Sequence, residues 1–351
     1  MRVLAALAAA VALAGCGSER SAVTAGGRVV GDNLTVYASV PDPARGVGRD
    51  MVDASKLAIA QAGGSVGDFG INFVAVDEGS LGEPDPPRVA GAAAEEAIRD
   101  PQMIAVVGAV RSDTAMTSLP LFNAAGILLV SPGAGYAGFT APVAAGEPDR
   151  WYPSGRPTFA RVIEDDTVQA RALLRAAGRG KVAIEGEVGK VASEQVEALQ
   201  EAGGDRIVED VRRADAVIYA GSDVRNAQGV AESLAREVPS ARLVFGDELT
   251  RAGLPRRLDP AARRRAVFVT AAPEPGSEPE FEAAFEQEFG REPDPYAVLT
   301  RRATQGVLDA LAAAGRRANL RRVVAERYLA EPVPPSGFSA FRLRDGKREY
   351  L

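Results

Sequence analysis

The sequence predicts an α/β protein built from doubly wound parallel sheets, and three observations support this prediction. The chain of 351 residues is long enough for two domains of ordinary size. Its apolar runs are continuous rather than alternating, which is typical of parallel strands buried on both faces. These runs alternate with helical patterns, as in Met103–Val107, a helix carrying Met116 and Phe122, and Ile127–Val130. Such alternation indicates strand–helix–strand units and hence a parallel sheet.

The amino-terminal half follows this alternation from its first strand. We predict strands over Leu34–Val40 and Ile71–Val76, with a helix between them that ends at Gly63-Gly64. A second helix is predicted over Arg88–Arg99, and it leads into the strand Met103–Val107. The small and aliphatic residues of these helices suit packing against a sheet, so this half is predicted to form one domain.

The carboxyl-terminal half repeats the pattern, with one departure. The run Arg206–Val211 stands almost directly before Ala216–Tyr219. A parallel crossover needs about a dozen residues or more, and they are not present. Either the first run is not a strand of the sheet, or the sheet is locally rearranged. The other predicted strands are Lys181–Ile184, Leu243–Phe245, Val267–Thr270 and Phe341–Leu343, and the predicted helices are Ala192–Ala202, Asn226–Arg236, Glu280–Phe289 and Tyr296–Ala314.

Composition and charge exclude several classes of function. A hydrophobic content of 46% and a charged content of 25% fit a soluble globular body. The net charge of −6, without a basic tail, argues against nucleic acid as a partner. The chain has no histidine and one cysteine, which excludes a His/Cys metal centre, a Cys-His pair and a Ser-His-Asp triad. It also lacks a nucleophile elbow, a P-loop and a dinucleotide fingerprint, so we predict no enzyme activity, no cofactor and no metal.

The first residues have the features of an export signal. Arg2 is followed by an apolar run, Val3–Ala14, that is shorter than the roughly 20 residues needed to span a bilayer. The sequence Leu13-Ala14-Gly15-Cys16 resembles a bacterial lipobox, which implies that Cys16 is lipidated and becomes the mature amino terminus. The alternative is an ordinary signal with an incidental cysteine. We therefore predict a signal over 1–16, a membrane attachment through lipid, and a flexible tether over 17–33.

Two turns at the carboxyl ends of predicted strands are candidates for ligand binding. In open α/β sheets, ligands bind at that edge. Ser112 stands before a predicted helix, whose free N–H groups and positive dipole end suit a carboxylate. Arg111 beside it suits bidentate binding of an anion, and the alternative is a surface or interdomain ion pair. The small residues Gly133, Ala134 and Gly135 permit close approach to the backbone, although the alternative is a simple helix cap and a simple turn.

The order and spacing of several short motifs resemble one family, the type I periplasmic solute-binding proteins. The resemblance is to the leucine/isoleucine/valine-binding receptors of ABC transporters, and it covers roughly residues 34–351, more strongly in the first half. Asp294-Pro295-Tyr296 also resembles the start of that family's closing helix. The motifs that carry the resemblance are Val106-Val107-Gly108, Ser112, Gly126-Ile127, Ser131-Pro132 and Phe139-Thr140.

The resemblance implies an architecture, a function and a partner. It implies two α/β domains joined by a hinge, over 34–158 and 159–351, with the end of the chain returning to the first domain. It implies a solute-binding lipoprotein of an ABC import system, which holds a small amino-acid-like or other carboxylate solute in the cleft between the domains. The implied partner is the transporter permease. The implied location is the cell envelope, at the outer face of the cytoplasmic membrane or in the periplasm.

Within the resemblance, the first domain would hold the carboxylate of the solute. The family's serine falls on Ser112, and its backbone contacts fall on Gly133, Ala134 and Gly135. The family often has a threonine where this chain has Gly135, so we expect the next residue, Tyr136, to fill that space.

The second domain departs further from the family. Val188 stands at the position of a family tyrosine, and Arg225 stands near the position of the acid that meets a ligand ammonium. Asp223 and Asp247 follow predicted strands and could replace that acid, the alternative being that both are helix caps. These departures leave open a second hypothesis, an envelope-anchored sensor or regulatory binding protein of the same fold with an altered or lost ligand site.

Overall fold

The computed structural model describes residues 27–79 and 85–351, and within them the chain forms two six-stranded sheets flanked by helices. The predicted signal, the lipidation site Cys16 and most of the predicted tether lie outside the described residues. The described end of that tether is packed, because Val29 is fully buried and its N–H donates to the Asn319 carbonyl at 2.7 Å. The described residues contain no helix that is long and apolar enough to cross a membrane.

The first sheet has the strand order β2-β3-β1-β4-β5-β6. All its pairings are parallel except that of the short edge strand β2 with β3. The predicted apolar runs of this half form strands within one or two residues of their predicted ends. The strands are β1 Asn33–Val40, β2 Ser65–Val66, β3 Phe69–Asp77, β4 Met103–Val107, β5 Leu128–Ser131 and β6 Phe159–Arg161, and the helices are α1 Gly46–Gln61, α2 Pro86–Ala97 and α3 Ser112–Ala124.

The second sheet has the strand order β12-β11-β10-β9-β8-β7. Strands β7 to β10 are parallel, and the last two strands are antiparallel. Its strands are β7 Val182–Gly186, β8 Ala216–Ala220, β9 Arg242–Phe245, β10 Ala266–Thr270, β11 Ser339–Arg344 and β12 Lys347–Tyr350. The helices of the second half are α4 Asp166–Ala177, α5 Lys190–Gly203, α6 Val224–Glu237, α7 Asp247–Arg251, α8 Leu254–Arg257, α9 Pro260–Arg265, α10 Pro279–Phe289, α11 Pro295–Ala314 and α12 Arg321–Ala330.

The run over 206–211 is not a strand of the second sheet, which is the first of the two alternatives that the sequence left open. Two short 3-10 helices, Gly204–Arg206 and Val211–Arg213, overlap its two ends, and Ile207 between them forms a single bridge with Val182. The crossover from β7 to the parallel β8 therefore uses α5 and this segment together. That length satisfies the geometric requirement that the bare sequence spacing violated.

The chain returns to the first domain through α11 and α12 and then leaves it again. Tyr296, Leu299 and Val307 of α11 belong to the same buried apolar cluster as Val36 and Val130 of the first sheet. After α12 the chain rejoins the second sheet as β11 and β12. The return thus occurs before the end of the chain, because the last two strands complete the second sheet. The predicted division at 158/159 lies one strand too early, because β6 pairs with β5 and is the last strand of the first sheet.

Candidate functional site

The two domains meet at the carboxyl ends of their parallel strands. From the second domain, the Arg251 Nη1 atom donates to the Gly133 carbonyl at 3.5 Å. From the first, the Tyr136 hydroxyl donates to the Glu194 carboxylate at 2.6 Å. The edge that the sequence analysis selected from strand order therefore forms an interdomain cleft, as expected for an open α/β sheet.

Ser112 is the first residue of α3, and Arg111 occupies the position before it. Ser112 does not cap the helix, which was the alternative to ligand binding, since its hydroxyl instead accepts a hydrogen bond from the Tyr136 backbone N–H at 3.2 Å. Ser131 contacts the same turn, residues 133–136, because its hydroxyl accepts from the N–H groups of Gly133 at 3.2 Å and Ala134 at 2.8 Å. Two serine side chains therefore fix this turn, which the sequence analysis selected, to the rest of the first domain.

Arg111 forms the interdomain ion pair that was the alternative to anion binding. Its guanidinium donates two parallel hydrogen bonds to Asp113, at 2.9 and 2.6 Å. Its Nε atom also lies 3.9 Å from the Glu248 carboxylate of the second domain. A bidentate pair of this kind fixes the plane of the guanidinium. Arg111 therefore presents a charged group of defined orientation to the cleft.

Glu78 is a buried acid that the sequence analysis missed. It follows β3, its side chain is fully buried, and both carboxyl oxygens accept from the Val110 N–H, at 2.8 and 3.1 Å. Burial raises the pKa of the Glu78 carboxyl to about 8, against the opposing effect of the Val110 hydrogen bond. Nothing in the local sequence distinguishes Glu78 from an exposed acid in a loop, because its burial depends on the packing of β1, β3 and β4.

Asp247 is buried and fully hydrogen-bonded within the protein. Its Oδ1 atom accepts from the Tyr296 hydroxyl at 2.7 Å, the Ala271 N–H at 2.7 Å and the Thr270 hydroxyl at 3.1 Å. Its Oδ2 atom lies 3.4 Å from Nη1 of Arg251. This carboxylate therefore joins β10, α7 and the start of α11, the helix that returns to the first domain.

Asp223 lies apart from this cluster. It is exposed and caps α6, where its carboxylate accepts from the N–H groups of Arg225 at 2.8 Å and Asn226 at 3.0 Å. The two acids that the sequence analysis proposed for a ligand ammonium thus have different environments. Asp247 is buried in a hydrogen-bond network, and Asp223 is a solvated helix cap, a role for which aspartate is preferred.

Side chains of α4 and α7 lie against the glycines of the turn. A Cβ atom on Gly133 would come within 2.2 Å of Arg251 Nη1 and within 2.6 Å of the Val110 carbonyl oxygen. A Cβ atom on Gly135 would lie 2.5 Å from the Asp166 carboxylate. Desolvation, together with repulsion from Glu248, raises the pKa of Asp166 to about 7. Glycine is required at both positions because side chains of α4 and α7 occupy the space that a Cβ atom would need. This close approach, more than the conformation of the turn, explains the glycines.

Tyr136 belongs to a second interdomain cluster. Its ring packs edge-on against Phe139 and Trp151, and its hydroxyl oxygen lies 2.8 Å from the Glu147 carboxylate in addition to its contact with Glu194. Lys190, at the start of α5, reaches the Glu147 carboxylate at 3.1 Å. The predicted aromatic wall is therefore part of a polar link between the domains. Val188, at the position of the family tyrosine, is fully exposed to solvent.

A cavity of about 290 Å³ lies in the cleft beside the amino terminus of α1. The first domain contributes the loop before α1 and Arg111, and the second contributes α7 and the residue after it. Within the described part of the chain, Nη2 of Arg251 and Oε1 of Glu248 are buried and have no hydrogen-bond partner. The lining residues are Pro41, Asp42, Arg45, Gly46, Val47, Gly48, Arg111, Glu248, Arg251 and Ala252.

The sequence analysis missed Glu248 and Arg251, although one signal pointed to them. Both follow Asp247 within a single helical turn at the end of a predicted strand, so they share the edge that Asp247 was selected for. Of the predicted residues, the structure brings Arg111, Ser112, Asp247 and the turn 133–136 together in the cleft.

Comparison with known proteins finds matches to the structure of this chain but none to its sequence among family models and curated proteins. The matches are solved structures. One is an ABC transporter substrate-binding protein from Desulfitobacterium hafniense in complex with Leu, with 15% identity, coverage of 91% of this chain and 100% of that chain, and a TM-score of 0.70.

Two further solved structures extend the comparison. The leucine-binding protein LivK from Thermotoga maritima has 17% identity, coverage of 91% of this chain and 97% of that one, and a TM-score of 0.70. A solute-binding protein of an ABC transporter from R. palustris, in complex with benzoate, has 19% identity, coverage of 91% and 95%, and a TM-score of 0.68. This chain therefore has the fold of the type I periplasmic solute-binding proteins, the fold that the resemblance in its sequence predicts.

Proposed function

We propose that the protein is the solute-binding lipoprotein of an ABC import system, which takes a small amino-acid-like or other carboxylate solute between its domains. The observation that carries this proposal is the cavity in the cleft, which is lined from both domains and contains Arg111 and Arg251. Guanidinium groups suit carboxylates through charge and N–H donors, and Arg251 keeps one buried donor, Nη2, that has no hydrogen-bond partner in the described chain. Leu and benzoate, the ligands in two solved structures of this fold, both carry a carboxylate.

Binding in this position couples the solute to the relative placement of the domains. The cavity is bounded by α1 and Arg111 on one side and by α7 on the other. A solute that contacts both sides stabilises the closed arrangement, as in hinge closure around a ligand. The permease of the transporter would be the partner that recognises the closed form. The proposal includes export to the cell envelope, and no enzymatic step is part of it.

We expect Cys16→Ser to release the protein from membranes into the soluble fraction. The reason is that acylation of a lipobox cysteine supplies the anchor, while the apolar run before it is too short to span a bilayer. Fractionation of cells that express the original chain and the variant measures this directly. Retention of the variant in the membrane fraction would contradict the lipid-anchor proposal.

A thermal-shift screen tests solute binding itself. Amino acids, amides and short organic acids are added in turn to the full-length chain in mild detergent. A ligand that binds only the folded state at a hundred times its Kd stabilises it by about 2.7 kcal/mol, so the melting temperature rises. Arg111→Met, which changes the cavity lining, is expected to reduce that rise. Arg236→Met, which replaces an exposed arginine on α6 outside the cavity, is the matched control and should leave the rise unchanged.

The second candidate function is a sensor or regulatory binding protein of the same fold. The observation that favours it is the position of Arg251 and Asp166 against Gly133 and Gly135, the turn where the resemblance places backbone contacts to a ligand. Protein side chains occupy that approach. A screen in which no compound raises the melting temperature would contradict solute import and favour this alternative, and co-purification of a partner other than a permease would then support it.

A further inference from the structure

The amino terminus of α1 faces the cavity with its first turn uncapped by any acid. The helix is 16 residues long, its first turn contains no acidic residue, and Gly46, Val47 and Gly48 of that turn line the cavity. Arg45 precedes the helix. Among the described residues, 27–79 and 85–351, its side chain makes no capping hydrogen bond. The first N–H groups of a helix have no partner inside the helix, and the dipole there favours negative charge.

Arg251 supplies an independent observation on the same cavity. The residue is only 7% exposed, and its Nη1 atom contacts Asp247 and the Gly133 carbonyl. Its Nη2 atom is buried without a hydrogen-bond partner in the described chain, and the residue lines the cavity. A buried donor without an acceptor is costly, so the site favours an acceptor from a ligand.

The charges of the lining favour an anion. Three arginines line the cavity, Arg45, Arg111 and Arg251, against two acids, Asp42 and Glu248. Oε1 of Glu248 lies 3.9 Å from both Arg111 Nε and Arg251 Nη2, which is longer than a hydrogen bond. Burial raises the pKa of the Glu248 carboxyl, which favours its neutral form. A neutral Glu248 would leave the lining more positive and could donate a hydrogen bond.

The donors first expected to bind a carboxylate are engaged elsewhere. The N–H groups of Gly133 and Ala134 donate to the Ser131 hydroxyl, and the N–H of Tyr136 donates to the Ser112 hydroxyl. The acids expected to bind an ammonium are also engaged, since Asp247 has three donors on one oxygen and Asp223 caps α6 outside this cavity. The open hydrogen-bonding capacity is therefore at α1 and Arg251.

We propose that the first turn of α1 and the Arg251 guanidinium form an anion subsite, and that the solute is a small organic carboxylate that needs no ammonium group. The proposal rests on the proposed solute-binding function and names its substrate class. The carboxylate lies between the helix end and Arg251, with Arg45 and Arg111 adding positive charge at the sides. The cavity of about 290 Å³ limits the solute to a small molecule.

Ligand selectivity of the unaltered protein tests the proposal without any variant. Calorimetry on the full-length chain in mild detergent compares 4-methylpentanoate with L-leucine, the same skeleton with an ammonium group, and benzoate with its neutral amide, benzamide. We expect at least one of the two carboxylates to bind, and to bind about tenfold or more tightly than its partner compound. Benzamide lacks the charge of benzoate and therefore loses the charge-assisted hydrogen bond. L-leucine keeps the carboxylate but brings an ammonium group into a cavity lined by three arginines, where a like charge is disfavoured.

The Arg251→Met variant tests the position of the subsite. We expect it to weaken binding of the carboxylate about tenfold or more, with Arg251→Lys intermediate because it keeps the charge but loses the planar fork. Arg257→Met, an exposed arginine on the adjacent α8, is the matched control and should leave the affinity unchanged. Circular dichroism and the melting temperature identify a variant that fails to fold, in which case the selectivity of the unaltered chain decides.

Several outcomes would overturn the anion subsite. L-leucine binding more tightly than 4-methylpentanoate, or benzamide binding as tightly as benzoate, would refute it while leaving solute binding intact. Unchanged carboxylate affinity in a folded Arg251→Met variant would also refute it. If none of the four compounds binds but the wider screen finds a solute of another class, the subsite fails alone. If the wider screen is also negative, the proposed function fails with it.

Discussion

Replacing Asp247 with alanine is expected to lower the free energy of unfolding by about 3–5 kcal/mol, the range seen when one partner of a buried ion pair is removed. The variant would leave the buried Arg251 guanidinium without its closest carboxylate. It would also leave the Ala271 N–H and the Tyr296 hydroxyl without the acceptor that they share. Since folded domains have only about 5–15 kcal/mol of stability, the loss is large enough to abolish folding at physiological temperature. Urea unfolding measures it.

Asp223→Ala is the matched control, because Asp223 was the other acid offered for a ligand ammonium. It caps an exposed helix end, so its loss should cost about 0.5–2 kcal/mol. Asp247→Asn should fall between the two, since it keeps an oxygen for the Ala271 N–H but removes the charge that faces Arg251. Equal losses in Asp247→Ala and Asp223→Ala would show that the buried network does not hold the domains together as the geometry indicates.

Replacing Glu78 with glutamine is expected to raise stability at pH 9 relative to pH 5, in comparison with the original chain. Burial raises the folded-state pKa of Glu78 to about 8 from an ordinary value of 4.5. Below pH 4.5 the carboxyl is protonated in both the folded and the unfolded state, so it imposes no penalty. As the pH rises to 8, the unfolded state ionises first, and stability is lost until the folded carboxyl ionises too.

The glutamine variant cannot ionise, so it avoids this loss. At about 1.4 kcal/mol per pKa unit, its advantage above pH 8 reaches up to roughly 5 kcal/mol. Unfolding by urea at pH 5, 7 and 9 gives the difference between variant and original at each pH, which removes the contribution of other titrating groups. Glu95→Gln, on the exposed side of α2, is the matched control for the substitution. A difference that does not change with pH would contradict the assignment of a buried, titrating Glu78.

The Glu78 prediction bears on the cleft as well as on stability. The carboxyl is hydrogen-bonded to the N–H of Val110, the residue directly before Arg111. Ionisation of Glu78 would place a negative charge beneath the segment that presents Arg111 to the cavity. Binding of an anionic solute should therefore weaken as the pH rises towards 9, since a buried like charge disfavours it. Titrating solute affinity against pH in the original chain and in Glu78→Gln would separate this effect from that of Glu248.

The sequence by itself determined the order and type of most elements of this protein. Continuous apolar runs such as Met103–Val107 and Ile127–Val130 became β4 and part of β5, because a strand buried on both faces must be apolar along its whole length. The turns after them were also identifiable, since glycine and serine mark the ends of such strands. The conflict over 206–211 was visible in the sequence too, because crossover length is a matter of counting residues.

Only the tertiary structure decided which charged residues are buried and what they contact. Arg251 touches Gly133 across 118 positions of the chain, and Asp247 meets Tyr296 across 49. Periodicity describes one element at a time, so it cannot state which side chain of one domain reaches the other. Glu78, Glu248 and Arg251 have the same sequence signature as solvated residues at the ends of elements. The burial of Glu78 follows from packing within the first domain, and that of Glu248 and Arg251 from the close approach of the two domains, which is what makes the cleft a site.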